Sequence, residues 1–369
     1  MTDARPSSEP PARAPAARRI LIIKPSSLGD VIHALPVLAA LRAARPHAHI
    51  AWLLSNSFVP LLEHHPLLDQ VIPFDRARYG RIWRSPSALG AFWQFVARLR
   101  REHFDLVVDL QGLVRSGLLG VLGGVPHRLG FADAREGAWL FYSRRVRVPA
   151  QCSHAVDRNL HLVRSLGIGS GPARFPLAIT PAERNAARRL LARAGGATPF
   201  TAVIPGTRWE SKRWPAERVA ALIDRLCEAG LGPCVLLGSP ADRARADAVC
   251  AACSAPVVDL VGRTSLRELT ALIEAAARVV CQDSGPMHIA AALGKPTVAV
   301  FGPTNPRRTG PYSSAAVVVR QELPCMPCYR RTCPLGHHDC MKRLDVARVF
   351  EQVATLARPP AAPSCASHR

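Results

Sequence analysis

The chain has 369 residues, 48% hydrophobic and 20% charged, globular values that exclude wholesale disorder. At roughly 150 residues per domain this length suggests two domains. Forty-eight Lys and Arg against 27 Asp and Glu leave a formal charge of +21, and no apolar run approaches the roughly 18–20 residues that span a bilayer.

The positive excess is almost entirely Arg, since Lys occurs only at 24, 212, 295 and 342. That profile fits an anionic partner, membrane surface or acidic substrate, and equally a G+C-rich coding bias. Nucleic acid is the weaker reading. No helix-turn-helix, zinc-finger or RNA-binding signature accompanies the charge, and aromatics are only 6%. Residues 1–18 are rich in Pro, Ala, Arg and Ser with no apolar centre, so a disordered tail is expected rather than a secretory signal. A soluble, intracellular protein is expected, in which the 11 cysteines build no disulfide framework.

In chain order, Arg19-Ile-Leu-Ile-Ile-Lys24 is a short apolar run bounded by charge, as in a strand buried on both faces of a parallel sheet. Turn chemistry follows at 25–30. Val31, Leu35, Leu38 and Leu41 then recur at helical spacing. Further strands are predicted at 50–54, 70–74 and 106–110, with helices at 58–63 and 89–102. Gly167-Ile-Gly-Ser-Gly-Pro172 reads as a break between domains. The second half repeats the alternation, with strands at 200–204, 234–237, 257–260, 279–281 and 297–301. Capping boxes at Thr180–Glu183 and Ser265–Glu268 open two of its helices, and a last helix is predicted at 345–357. Strands separated by helices are the pattern of doubly wound α/β sheets. Two such domains facing each other would leave a central cleft lined by loops at the carboxyl ends of both sheets.

Four loops carry chemistry. Asp283-Ser-Gly-Pro-Met-His288 follows a buried strand and opens an Ala-rich helix, whose free N–H groups suit an anion. Plain N-capping explains Asp283 and Ser284 as well, and His288 reads equally as a half-buried core histidine. Pro205-Gly-Thr-Arg-Trp-Glu-Ser-Lys212 follows the 200–204 strand and offers a close backbone approach at Gly206, the Thr207 hydroxyl and the Lys212 cation. Phe301-Gly-Pro-Thr304 is a similar strand-to-loop turn. Lys24-Pro-Ser-Ser-Leu-Gly-Asp30 ends the first strand with a carboxylate at a helix start, suited to a general base and equally to an N-cap. There is no Gly-x-Gly-x-x-Gly, P-loop or Gly-x-Ser-x-Gly elbow, which argues against dehydrogenases, P-loop NTPases and serine hydrolases. Cys325, Cys328, Cys333 and Cys340, with His337 and His338, leave three readings open: a structural zinc site, reduced thiols, or redox pairing.

From about Arg19 to Phe350 these motifs, together with Asp105-Leu-Val-Val-Asp-Leu-Gln-Gly112 and Ala290-Ala-Ala-Leu-Gly-Lys-Pro296, resemble the ADP-heptose:lipopolysaccharide heptosyltransferases of glycosyltransferase family 9. The resemblance implies a GT-B fold, two Rossmann-like doubly wound parallel sheets about a central cleft. Residues 19–172 would bind the acceptor and 173–358 the sugar nucleotide, with the last helix able to pack back toward the first domain and 359–369 loose. It implies an inverting glycosyltransferase that needs neither cofactor nor catalytic metal. By position Asp30 matches the catalytic base. Lys212 and Thr207 match contacts to the donor diphosphate, although the loop joining them is one residue longer than in some members. Thr264, Asp283, Ser284, Gly285 and His288 match further donor contacts. A family acidic residue that touches the nucleoside has no clear counterpart in Gly238-Ser-Pro-Ala-Asp242.

The donor so implied is ADP-heptose. The acceptor is Kdo-lipid A or heptosyl-Kdo-lipid A, at the cytoplasmic face of the inner membrane. Candidate acceptor contacts are Ser27, Gly29, Gln111 and four arginines interleaved with aromatics, Arg76, Arg78, Arg81 and Arg84. First- and second-heptose addition both stay open. The alternative is a non-catalytic sugar-nucleotide-binding or membrane-associated scaffold protein, against which the presence of both Asp30 and Lys212 argues.

Overall fold

A computed structural model describes the protein over residues 17–169 and 171–357, and the expected tail before residue 17, the loose end and Cys365 lie outside them. The chain divides after Ala178 into two compact units.

The first unit runs β1 (Arg19–Ile23), α1 (Leu28–Ala44), β2 (His49–Ser55), α2 (Val59–Leu62), β3 (Gln70–Phe74) and α3 (Arg76–Tyr79). It continues with α4 (Pro86–Arg101), β4 (Leu106–Asp109), α5 (Val114–Leu122), β5 (His127–Phe131), β6 (Arg144–Val146) and α6 (Ala155–Arg164). The second unit runs α7 (Pro181–Arg193), β7 (Thr201–Ile204), α8 (Ala216–Glu228), β8 (Cys234–Leu236), α9 (Arg243–Ala252), β9 (Val257–Asp259) and α10 (Leu266–Ala275). After these come β10 (Arg278–Gln282), α11 (Gly285–Ala292), β11 (Thr297–Phe301), α12 (Pro306–Thr309), β12 (Ala316–Arg320), α13 (Asp339–Lys342) and α14 (Val346–Ala357).

Each unit holds one six-stranded sheet, ordered β3-β2-β1-β4-β5-β6 in the first and β12-β11-β10-β7-β8-β9 in the second. All ladders are parallel. Counted from its own first strand, each sheet has the order 3-2-1-4-5-6 of a Rossmann fold, so the α/β doubly wound reading holds for both halves. The strand order reverses between β1 and β4 and again between β7 and β10. Ligands bind such sheets at the carboxyl ends flanking that reversal, where the loops part to leave a crevice.

The central strands are the apolar runs of the sequence. Ile20 to Ile23, Ala51 to Leu54 and Val298 to Phe301 are buried without alternation, because helices cover both faces. Three strands go beyond the sequence reading. β5 and β6 carry Arg128, Arg144 and Arg145 and lack the continuous apolar run, while β12 is an edge strand beyond a turn rich in Gly, Pro and Ser. Helix α14 packs its Val349 and Val353 into the core beneath α8 and the β10–β12 side of the second sheet.

Candidate functional site

In the first unit the loop after β1 delivers Asp30 to the third position of α1. The Ser27 N–H and hydroxyl both donate to Asp30 Oδ2, at 2.7 and 2.8 Å, so this carboxylate closes a capping box. Its other oxygen lies 3.8 Å from Lys24 Nζ, and the side chain keeps 40% of its surface exposed. Lys24 is buried and anchored by a 2.8 Å hydrogen bond to the Leu110 carbonyl. Crowding by protein atoms pushes the Asp30 carboxyl up. The Lys24 charge and the two Ser27 hydrogen bonds outweigh it, leaving Asp30 below the ordinary carboxylate value of 3.8. Asp30 is therefore a helix cap and an accessible acceptor held toward its ionised form at once. Gly29 is buried in the first turn of α1.

Across the strand-order reversal, the turn after β4 is built on Asp109. This fully buried carboxylate accepts the N–H groups of Gln111 (2.8 Å) and Gly112 (3.1 Å) and the Tyr142 hydroxyl (2.8 Å). Burial pushes its carboxyl up against those bonds. The turn so fixed carries Gln111, whose side-chain oxygen is buried without a hydrogen-bond partner. Arg76 reaches back to the Ser26 hydroxyl at 3.0 Å, and Arg76, Arg78, Arg81 and Arg84 are all exposed.

In the second unit the site gathers around Asp283, at the end of β10. Lys212 Nζ lies 2.6 Å from Asp283 Oδ2 and 4.6 Å from the centre of the Trp209 ring. The Thr304 hydroxyl donates to the same carboxylate, and the Thr207 hydroxyl donates to the Asp283 carbonyl at 3.2 Å. Ser284 is the N-cap of α11, and its hydroxyl is buried with no partner; Gly285 is the first helical residue and His288 is buried in the second turn. Cation, hydroxyls and helix N-terminus, read from three separate motifs, are thus brought together by contact. Thr264 is half-buried in the loop after β9, just before the N-cap of α10.

Several positioning contacts escape sequence reading because their partners lie far along the chain. Arg245 of α9 donates to the carbonyls of Pro205 and Trp214, pinning both ends of the Lys212 loop. The middle is held by the Cys-rich segment. Ser211 donates its N–H to the Arg331 carbonyl and its hydroxyl to that of Arg330, while His338 Nε2 lies 2.8 Å from the Ser211 carbonyl. His338 has a left-handed backbone, rare outside glycine, and its N–H points at Cys333 Sγ. Two glycines also change meaning. A Cβ on Gly206 would fall 2.3 Å from the Asp242 carboxylate, and one on Gly302 would fall 2.5 Å from Met341 Sδ. Both close approaches are to protein, where the sequence suggested a ligand. The approach at Gly206 brings Asp242, the acidic residue without an assigned role, against the loop that carries Thr207 and Lys212.

Cys325, Cys328, Cys333 and Cys340 all lie in the segment that contacts the Lys212 loop. Among the described residues no group of three or more His, Cys, Asp or Glu side chains is arranged to hold a metal ion. Burial, then the neighbouring sulfurs, push the Cys340 thiol up to about 11, so it stays protonated at neutral pH. Through Arg330, Arg331 and His338 the segment straps the 205–215 loop at Ser211. Among the described residues no helix is long and apolar enough to cross a membrane.

The model of glycosyltransferase family 9 (heptosyltransferase) matches residues 92–338. The lipopolysaccharide heptosyltransferase 1 of Pseudomonas aeruginosa is 34% identical over 93% of this chain and 99% of its own length. The chain belongs to glycosyltransferase family 9. The Escherichia coli lipopolysaccharide heptosyltransferase 1 is 31% identical over 82% of this chain and 93% of that protein. The solved structure of the E. coli heptosyltransferase WaaC with ADP matches with a TM-score of 0.74 and 28% identity, covering 92% of this chain and all of that one. The heptosyltransferase resemblance is therefore correct, and the chain is a family 9 glycosyltransferase of the GT-B fold class.

Proposed function

We propose that the protein transfers heptose from ADP-heptose to the Kdo inner core of lipopolysaccharide, adding the first heptose at the cytoplasmic face of the inner membrane. The observation that carries the donor half is the assembly at the end of β10. Lys212, Thr207, Thr304 and the unpartnered Ser284 hydroxyl surround the N-terminus of α11. A helix N-terminus with a cation and hydroxyls is a diphosphate site, because free N–H groups and the aligned peptide dipoles all favour negative charge. The first-heptose reading rests on the two heptosyltransferase 1 relatives, which cover most of the chain.

In the reaction the acceptor hydroxyl attacks the anomeric carbon as the diphosphate leaves from the opposite face, in one displacement. Asp30 Oδ1, the oxygen not used by Ser27, takes the hydroxyl proton. Lys212 and the Ser284–Gly285 end of α11 take up the charge that builds on ADP, and preorganised donors of this kind are worth about 3–4 kcal/mol each. Asp283 aims the Lys212 ammonium, and Thr304 orients Asp283 in turn. Thr264 and His288 complete the donor contacts. Ser27, Gly29, Gln111 and the arginines at 76, 78, 81 and 84 serve the anionic acceptor.

The test is ADP release from ADP-heptose with Kdo-lipid A, and separately with heptosyl-Kdo-lipid A, in buffer with and without EDTA. Turnover on Kdo-lipid A that EDTA does not reduce is expected. Turnover only on the heptosylated acceptor would move the protein to second-heptose addition, and no turnover with tight ADP binding would favour a scaffold.

A further inference from the structure

The first unit contains an apolar cavity of about 600 Å³ whose hydrophobic walls the proposed chemistry does not use. It lies between α4 and α5 and continues the core of that face, bounded by Leu53, Phe74, Phe92, Leu119 and Leu122. Its outer wall holds the most exposed aromatic side chains of the unit. Trp83 is 91% and Trp93 52% exposed, with Leu89 beside them at 42%. Large exposed apolar groups gathered at one opening mark a binding surface, since scattered single residues are the norm. A cavity of this volume with apolar walls gains little from water, which finds few polar partners there.

The rim supplies the second half of the argument. Arg76 and Arg115 line the cavity, Arg81 and Arg84 flank Ile82 and Trp83, and the floor includes Pro25, Ser26 and Gln111. The Arg76–Ser26 hydrogen bond joins this rim directly to the loop that carries Asp30. An occupant must therefore combine a long apolar part with an anionic head close to the β1 and β4 loops. A peptide helix of mixed charge would not use this separation of apolar interior and arginine-bearing rim.

We infer that the cavity binds an acyl chain of the acceptor glycolipid, while the rim arginines hold its anionic head, so that the enzyme recognises the lipid half of its substrate as well as the sugar. This rests on the proposed acceptor class and extends it. Each buried methylene changes affinity by about fourfold, enough for a few carbons to set the acceptor KM.

The experiment compares Kdo-lipid A dispersed in detergent with the same acceptor after chemical removal of its acyl chains. Trp93→Ser and Leu89→Gln are the variants, both at half-exposed positions away from Asp30 and the rim arginines. The expected result is a KM about tenfold higher for the acylated acceptor, with less than a twofold change for the deacylated one and unchanged ADP binding. Parallel changes with both acceptors, or no change with either, would overturn the inference. Loss of sedimentation with phosphatidylglycerol vesicles at unchanged KM would overturn it in favour of docking on the bilayer. A separate readout needs no turnover: a lysophosphatidic acid with a brominated chain should quench wild-type tryptophan fluorescence more than that of Trp93→Phe. Equal quenching sinks the inference even if transfer is confirmed, and unequal quenching sustains it even if the proposed transfer fails.

Discussion

At the scale of single residues, Asp30 is asked to do two things that share one carboxylate. Oδ2 is spent on the helix cap, and Oδ1 faces Lys24 and solvent. Replacement by Asn keeps the shape and removes the charge, so kcat should fall by about two to four orders of magnitude while ADP affinity persists, as measured by turnover and calorimetry. Because the carboxyl is held below its ordinary value, it stays a base as pH falls until that depressed pKa is reached. Lys24→Met removes the largest of the influences that lower this pKa, so the acid limb of kcat/KM should shift to higher pH. An unmoved limb would show that another group controls it. Lys212→Met should lower kcat about a hundred- to a thousandfold, because the leaving diphosphate loses its nearest cation. Recovery of part of that loss by Arg would be the sign of a purely electrostatic role.

At the scale of elements, the turn after β4 and the Cys-rich strap are the supports. Asp109→Ala leaves the Tyr142 hydroxyl and two backbone N–H groups without an acceptor inside the core. A destabilisation of about 3 kcal/mol or more is expected in urea unfolding. The strap holds the Lys212 loop through Ser211 and His338. His338→Ala should raise the ADP-heptose KM several-fold, leave the acceptor KM alone and speed amide exchange at 209–213. Equal effects on both substrates would reduce the strap to general stability. The Arg76–Arg84 run could be recognised in the sequence as cationic and aromatic, yet its meeting with α4 and α5 around a cavity required the fold.

At the scale of the whole molecule, the same strand order occurs twice, and the proposed acceptor and donor contacts each flank one reversal of that order. The elements proposed to hold the donor all belong to the second unit. ADP should therefore slow amide exchange at 206–213 and 283–288 and raise the stability of that unit by about 2.7 kcal/mol at a hundredfold excess over Kd. Protection centred on the first unit instead would contradict the donor assignment. The +21 charge is compatible with an anionic acceptor and equally with coding bias; of the arginines in question, Arg76 and Arg115 line the cavity of the first unit.

Sequence alone determined the two parallel sheets, since continuous apolar runs between helical stretches can be buried only with helices on both faces. It also located Asp30, Thr207, Lys212 and the Asp283–His288 turn, because strand-to-helix junctions in such sheets fall at the carboxyl edge. Only the tertiary structure decided what touches what. Lys212 meets Asp283 across 71 residues of chain, His338 fixes Ser211 across 127, and Gly206 and Gly302 make room for Asp242 and Met341. The same holds for the cysteines, whose spacing suits a metal while their folded positions make a strap. Local pattern encodes burial and turn chemistry. Contacts between distant loops depend on how the sheet brings its ends together, and no stretch of sequence carries that by itself.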